Sequence, residues 1–278
     1  MRTILPLIPA FILLLAAFAC GEDPVSAKPA PVIEGWINSD GYPVVMFTAS
    51  FVTDDYGKPI ADKMIRWGKV TISDGETTAI LTGAPDKDYF PPYRYYTLDI
   101  KGVPGRTYRI VADYEDLHAE AECTMPFPTS IDSIAVRSIQ DNDSLRSATL
   151  HFTAPADCPA YFCVTLRDLD PRGRPLPAMM GCIRADVPGV HMELPLLRPK
   201  NSLDTVPFIP QFTIGQRYDV TLCRVSPEVY EFWDGYNNLT IFGGSQFVSA
   251  SSSLRGNISG GFGVWSAQGA STRLLEVK

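Results

Sequence analysis

Lys69-Val-Thr-Ile-Ser-Asp-Gly75 decides the fold: a short strand-like run, Lys69 to Ser73, closed by Asp74-Gly75, a strong turn signal. The same texture extends on both sides. Upstream lie Pro31-Val-Ile-Glu-Gly-Trp-Ile-Asn38, ending at Ser39-Asp40-Gly41, and Val44 to Val52. Downstream come Thr77 to Leu81, Tyr93 to Ile100 and Tyr108 to Tyr114, with Pro104-Gly105 between the last two. His118 to Cys123 suits an edge strand. Strands at roughly ten-residue spacing with turn punctuation predict a β-sandwich rather than strands crossed by helices.

Pro126-Phe127-Pro128 interrupts the series, because X-Pro steps favour extended chain. A boundary there gives one β-sandwich module over residues 32–125 and a second β-rich module over residues 129–278. The second is expected to hold strands at Ile131 to Val136, Thr149 to Phe152, Tyr161 to Leu169, Met179 to Arg184 and Tyr218 to Val225. Residues 195–210 carry Pro195, Pro199, Pro207 and Pro210 and are expected to be mostly loop. One short helix is expected near 227–239, with Ser226 as cap, Pro227 in the first position and Glu228 at the positive end of the dipole. Its aromatic side chains suit packing on a sheet. Gly256 to Trp265 and Arg273 to Val277 suggest a final hairpin.

The chain has 278 residues, 24 basic and 31 acidic, with a net charge of −7. Met1-Arg2-Thr3, an apolar run from Ile4 to Phe18 and Ala19-Cys20 have the layout of a secretory leader, too short for a permanent membrane span of ~20 residues. Ala17-Phe18-Ala19-Cys20 resembles the bacterial lipobox, which makes Cys20 the expected lipidation site, with residues 20–31 as tether. Removing residues 1–19, where Arg2 is the only charge, leaves 259 residues with 23 basic and 31 acidic side chains, net −8. That balance, without a basic cluster, argues against nucleic acid.

Several stretches together resemble a family. They are Pro31-Val-Ile-Glu-Gly-Trp-Ile37, Gly105-Arg-Thr-Tyr-Arg-Ile110, Ile131-Asp-Ser-Ile134, Tyr218 to Tyr230, and Gly256-Asn-Ile-Ser-Gly-Gly-Phe-Gly-Val-Trp265. In this order they resemble the Bacteroidetes outer-membrane lipoproteins grouped as a domain of unknown function, often encoded beside TonB-dependent receptors. The resemblance implies an N-terminal immunoglobulin-like β-sandwich and a second, fibronectin-like β-rich part, and it brings no catalytic residues. Gly21-Glu22-Asp23 resembles the acidic signal that sends such lipoproteins to the cell surface. Asp132-Ser133-Ile134, Asp143-Ser144-Leu145 and Asp204-Thr205-Val206 resemble the O-glycosylation sequon of the same bacteria, which makes Ser133, Ser144 and Thr205 candidate sites.

Catalytic patterns are sparse. His118, His151 and His191 are widely separated, without His-Glu-x-x-His or His-x-His spacing for zinc, so no metal is expected. No Gly-x-Ser-x-Gly elbow occurs. Asp113, Glu115 and Asp116 have the placing of solvated turn acids, and Asp168-Leu-Asp170 and Asp141-Asn-Asp143 that of Asx-rich turns rather than calcium loops. The glycines at 256, 260, 261 and 263 lack the Lys-Ser/Thr of a phosphate loop and fit close-packed strands.

Beyond Cys20, five cysteines remain: Cys123, Cys158, Cys163, Cys182 and Cys223. The midpoint of Cys163 and Cys182 falls in the Arg172-Gly173 turn, so these two can face each other across a hairpin and either form a disulfide after export or stay as buried free thiols, and the odd count leaves at least one cysteine free. Trp36, Trp67, Tyr89, Phe90, Tyr93, Tyr95 and Tyr96 can pack in a core or stack on sugar rings. The expected protein is a non-enzymatic lipoprotein of the outer membrane, facing the cell surface, without cofactor, serving a TonB-dependent transporter. A structural or adhesin-like module and a hydrolase are its rivals.

Overall fold

Residues 31, 33, 35 and 37 are buried while Glu34 is exposed and residues 32, 36 and 38 lie between, the period of two that a pleated strand imposes. The computed structural model describes residues 28–52, 55, 57–140, 142–170, 178–199, 209–242, 254 and 256–278. Cys20, Thr205, Asp141 and the Arg172-Gly173 turn lie outside the described residues.

The described residues form β1 (Pro31–Asn38), β2 (Val44–Ala49), β3 (Lys69–Ser73), β4 (Thr78–Ile80), β5 (Thr82–Pro85), β6 (Tyr93–Tyr96), β7 (Thr107–Tyr114) and β8 (Leu117–Thr124). Then follow β9 (Ile131–Ile139), β10 (Asn142–Thr153), β11 (Ala160–Asp168), β12 (Ala178–Ala185), β13 (His191–Leu196), β14 (Phe212–Thr213), β15 (Arg217–Val225), helix α1 (Pro227–Phe242) and β16 (Phe262–Glu276). The protein is mainly β with sandwich-like packing. The described residues fall into two units, 28–29 with 51, 52, 55, 57 and 58, and those of 30–50 with 59–278. Within the first, Asp55 organises a turn, accepting from the Val52 N–H at 2.9 Å and from Lys58 Nζ at 2.9 Å.

The second unit is built on one eight-stranded sheet in the order β12-β11-β15-β16-β1-β2-β6-β5. Two four-stranded sheets accompany it, β4-β3-β7-β8, with β8 at an edge, and β13-β10-β14 with β9 also on β10. Ile33, Ile37, Val45 and Tyr95 of the large sheet share a core with Val70, Ile72, Tyr108 and Ile110 of the first small sheet. Phe162, Val164, Val220 and Leu222 of the large sheet share a second core with Leu150, Phe152, Leu196 and Phe212. One large sheet therefore runs through both cores, with strands from both sides of Pro126-Phe127-Pro128.

Strand β16 makes this continuity, and it corrects the expected final hairpin. It runs unbroken for 15 residues. Its first half pairs parallel to β1, from Val32–Phe262 to Asn38–Gln268, and its second half antiparallel to β15, from Arg224–Gly269 to Arg217–Glu276. Gly269 sits at the handover, and a Cβ there would lie 2.3 Å from the Pro126 carbonyl. The residue is glycine because the proline stretch crosses the strand at that point. Trp265 and Ala267 belong to the first core and Leu275 to the second.

Helix α1 starts where its signals predict, the Ser226 Oγ accepting from the Val229 N–H at 3.4 Å, and ends three residues beyond the expected 239. It packs against β11, β12 and β16. Adjacent strand residues face opposite ways, so Tyr161, Cys163, Cys223 and Val225 cluster with helix residues Val229, Tyr230 and Trp233, while Phe162, Val164 and Leu222 fill the second core.

Candidate functional site

Three groups bring chemistry-bearing side chains together. The first lies on the outer face of the second small sheet. In β10, Leu150 and Phe152 point into the core, so His151 points out. In β13, His191 and Glu193 are exposed at alternate positions and therefore share a face. Register places Glu193 directly opposite His151, with His191 opposite Thr153, one diagonal step away.

His151 Nδ1 lies 3.1 Å from His191 Nε2, with the rings stacked at 5.2 Å and 18°. Glu193 Oε1 lies 3.6 Å from each of those nitrogens. The side chain of His151 is 13% exposed, those of His191 and Glu193 54% and 62%. This grouping was not read from the sequence. His191-Met-Glu193 is visible as a same-face pair once the segment is a strand, but its partner is 40 residues away and depends on register.

The second group is a row of thiols beneath α1. Cys163 is opposite Cys182 on one side and Cys223 on the other. The Cys163 and Cys182 sulfurs are 3.1 Å apart, with Cys163 buried and Cys182 partly accessible. The neighbouring Cys182 thiol and burial push the Cys163 thiol well above its ordinary value, and burial pushes Cys223 up to about 12. Both are neutral thiols at pH 7 and poor nucleophiles as they stand.

The third group is aromatic and resolves the candidate stacking residues into different roles. Tyr95 is buried and donates its hydroxyl to the Ile65 carbonyl at 2.7 Å. Tyr93 donates to the Arg66 carbonyl at 2.9 Å. Trp36 stacks on Tyr89 at 6.2 Å, and the Arg94 guanidinium lies over Tyr89 at 5.2 Å and Tyr96 at 4.6 Å while bonding Asp86 at 2.7 Å. Trp67, 87% exposed, and Phe90 face solvent.

The remaining candidates are placed as follows. Ser133 and Ser144 are exposed, on β9 and β10, and Ser133 is directly opposite His151. Asp170 N–H donates to Asp168 Oδ1 at 2.9 Å, and Asn142 Oδ1 accepts from the Ser144 and Leu145 N–H groups, so Asp168 and Asn142 each organise an Asx turn. Asp113 Oδ1 holds His118 Nδ1 at 2.6 Å, and Glu115 forms the turn beside them with φ 50°. In the glycine run, a Cβ on Gly256 would meet the Gly263 carbonyl at 1.6 Å, and one on Gly263, whose φ is +105°, the Ile33 carbonyl at 1.9 Å. Ser259 N–H donates to the Glu120 carbonyl, and the Asn257 side chain bonds both N–H and carbonyl of Trp265. The glycines serve backbone packing.

Residues 22–273 match the family described as a domain of unknown function, DUF4249, and the chain belongs to it. No curated protein matches the chain.

Proposed function

We propose that this member of the DUF4249 family is a non-enzymatic lipoprotein, anchored through Cys20 in the outer membrane and facing the cell surface, that assists a TonB-dependent transporter. The observation that carries this reading is the lipobox-like Ala17-Phe18-Ala19-Cys20 followed within eleven residues by β1, a central strand of the large sheet. Eleven residues span at most roughly 40 Å, at about 3.3–3.6 Å each, so an anchor at Cys20 keeps the β body at the membrane surface. A single acyl chain binds marginally, whereas several on one cysteine hold stably. The solvent-facing Trp67, Phe90 and Phe127 give the body aromatic contact points for a partner.

Affinity purification from the native membrane in mild detergent tests the reading. A β-barrel receptor co-purifying in fixed proportion supports it. Isolation alone favours a projecting structural module, and turnover in an unbiased glycan or peptide panel favours a hydrolase. Mass spectrometry of the mature N-terminus tests the anchor separately, with acylated Cys20 as the expected first residue.

A further inference from the structure

We propose that His151, His191 and Glu193 bind a divalent transition-metal ion, zinc fitting best, on the outer face of the second small sheet. The three donor atoms lie 3.1, 3.6 and 3.6 Å from one another. A four-coordinate zinc with bonds of about 2.0–2.1 Å to nitrogen and oxygen requires ligand separations of about 3.3–3.4 Å, the edge of the tetrahedron. One observed side is slightly shorter than that edge, at 3.1 Å, and two are slightly longer, at 3.6 Å.

Hydrogen bonding alone does not account for the arrangement. The two ring nitrogens at 3.1 Å can make one N–H···N bond with each other, which satisfies the ring pair by itself. Glu193 lies beyond hydrogen-bond distance of both nitrogens yet at the same 3.6 Å from each. A carboxylate bonded to one ring would approach that ring. One equidistant from both has the position of a third ligand around a common centre.

The donor set selects the ion. Two imidazole nitrogens and one carboxylate oxygen suit zinc, cobalt, nickel, copper or iron, while calcium and magnesium prefer all-oxygen shells. The scaffold suits a metal site too. All three ligands stand on paired strands rather than loops, and His151 is held on the inner strand of its sheet. His191 and Glu193 lie on edge strand β13 and are exposed, so the fourth position faces solvent and accepts water or a donor from a partner.

Cobalt(II) titration of the full chain in mild detergent tests the site. One cobalt per chain is expected, with visible d–d absorbance, no thiolate-to-cobalt charge transfer, and displacement by zinc. His191→Asn and Glu193→Gln alter exposed side chains, so circular dichroism should stay unchanged. Loss of an outer-shell partner alone costs about 10–100-fold in affinity, so each variant is expected to weaken binding by at least that much. His118→Asn, on β8, should leave it unaltered. The proposal is overturned by absence of saturable binding, by a thiolate charge-transfer band pointing to the cysteine row, or by full affinity in both variants.

Discussion

The two cores that share the large sheet handle polarity differently. In the first, every large aromatic that carries a polar tip to full burial finds a partner. Trp265 Nε1 donates to the Tyr108 carbonyl at 2.9 Å, the Tyr108 hydroxyl donates to the Lys101 carbonyl at 3.0 Å and accepts from the Val103 N–H at 2.7 Å, and Tyr95 bonds Ile65. In the second, Tyr218 is fully buried and its hydroxyl has no partner among the described residues. Among the described residues the second core is otherwise apolar, and the His-His-Glu cluster stands on the outer face of its small sheet, whereas Cys163 and Cys223 are buried with the first core. Directional bonds fix the pairing of sheets in the first half. The second half relies on apolar packing and β16, and presents its polar groups outward.

Breaking the first core should give the largest effect. Trp265→Ala removes a fully buried indole and its bond across the sandwich, and is expected to cost about 3–5 kcal/mol in urea unfolding. Next comes the Cys163–Cys182 pair. We expect these thiols to be oxidised to a disulfide in protein taken from an oxidising compartment, leaving Cys223 reduced, with reduction lowering stability by about 3 kcal/mol for a loop of this length. Peptide mapping with and without reductant checks the pairing, and unlinked peptides under both conditions would count against it.

A matched pair of substitutions sharpens the contrast between the cores. Tyr108→Phe is expected to cost about 1–2 kcal/mol because two partners lose their bonds, while Tyr218→Phe should be neutral or stabilise by about 1 kcal/mol by removing a buried hydroxyl that has no partner among the described residues. Equal losses from both would erase the distinction.

A smaller effect is set by pH at the first core's edge. The Thr77 backbone N–H, then that of Glu76 and the Arg106 guanidinium, hold the Asp74 carboxyl below the usual carboxylate range. A depressed folded pKa means its stabilisation is complete above the unfolded value of about 4 and is lost as pH falls through the folded value. Asp74→Asn should therefore lower stability at pH 7, and its difference from the native protein should close below about pH 4.

The first half was more legible in sequence than the second. Lys69-Val-Thr-Ile-Ser73 and Pro31–Asn38 match their observed strands because alternation and turn residues are local signals. Ser226-Pro227-Glu228 marked the helix for the same reason. The continuity of β16 was hidden, because the gap between Trp265 and Arg273 suggested the bend of a hairpin, whereas the close approach of the Pro126 carbonyl to Gly269 is a long-range contact. The His-His-Glu cluster was hidden more deeply. It depends on which residue of β13 faces His151, and a slip of one position would send Glu193 to the other face. Cys163 stands opposite Cys182 on neighbouring antiparallel strands, as the midpoint arithmetic expects for strands close in sequence; β10 and β13 are further apart in the chain and give no such local cue.

The central claim is that β16 joins two unlike cores into one cooperative body. Native-state hydrogen exchange in increasing urea, read at Ile110 of β7 and Phe162 of β11, tests it most directly. One body predicts the same opening free energy and the same urea dependence at both positions. Separate opening of the two, with one core exchanging at lower free energy while the other stays protected, would contradict it.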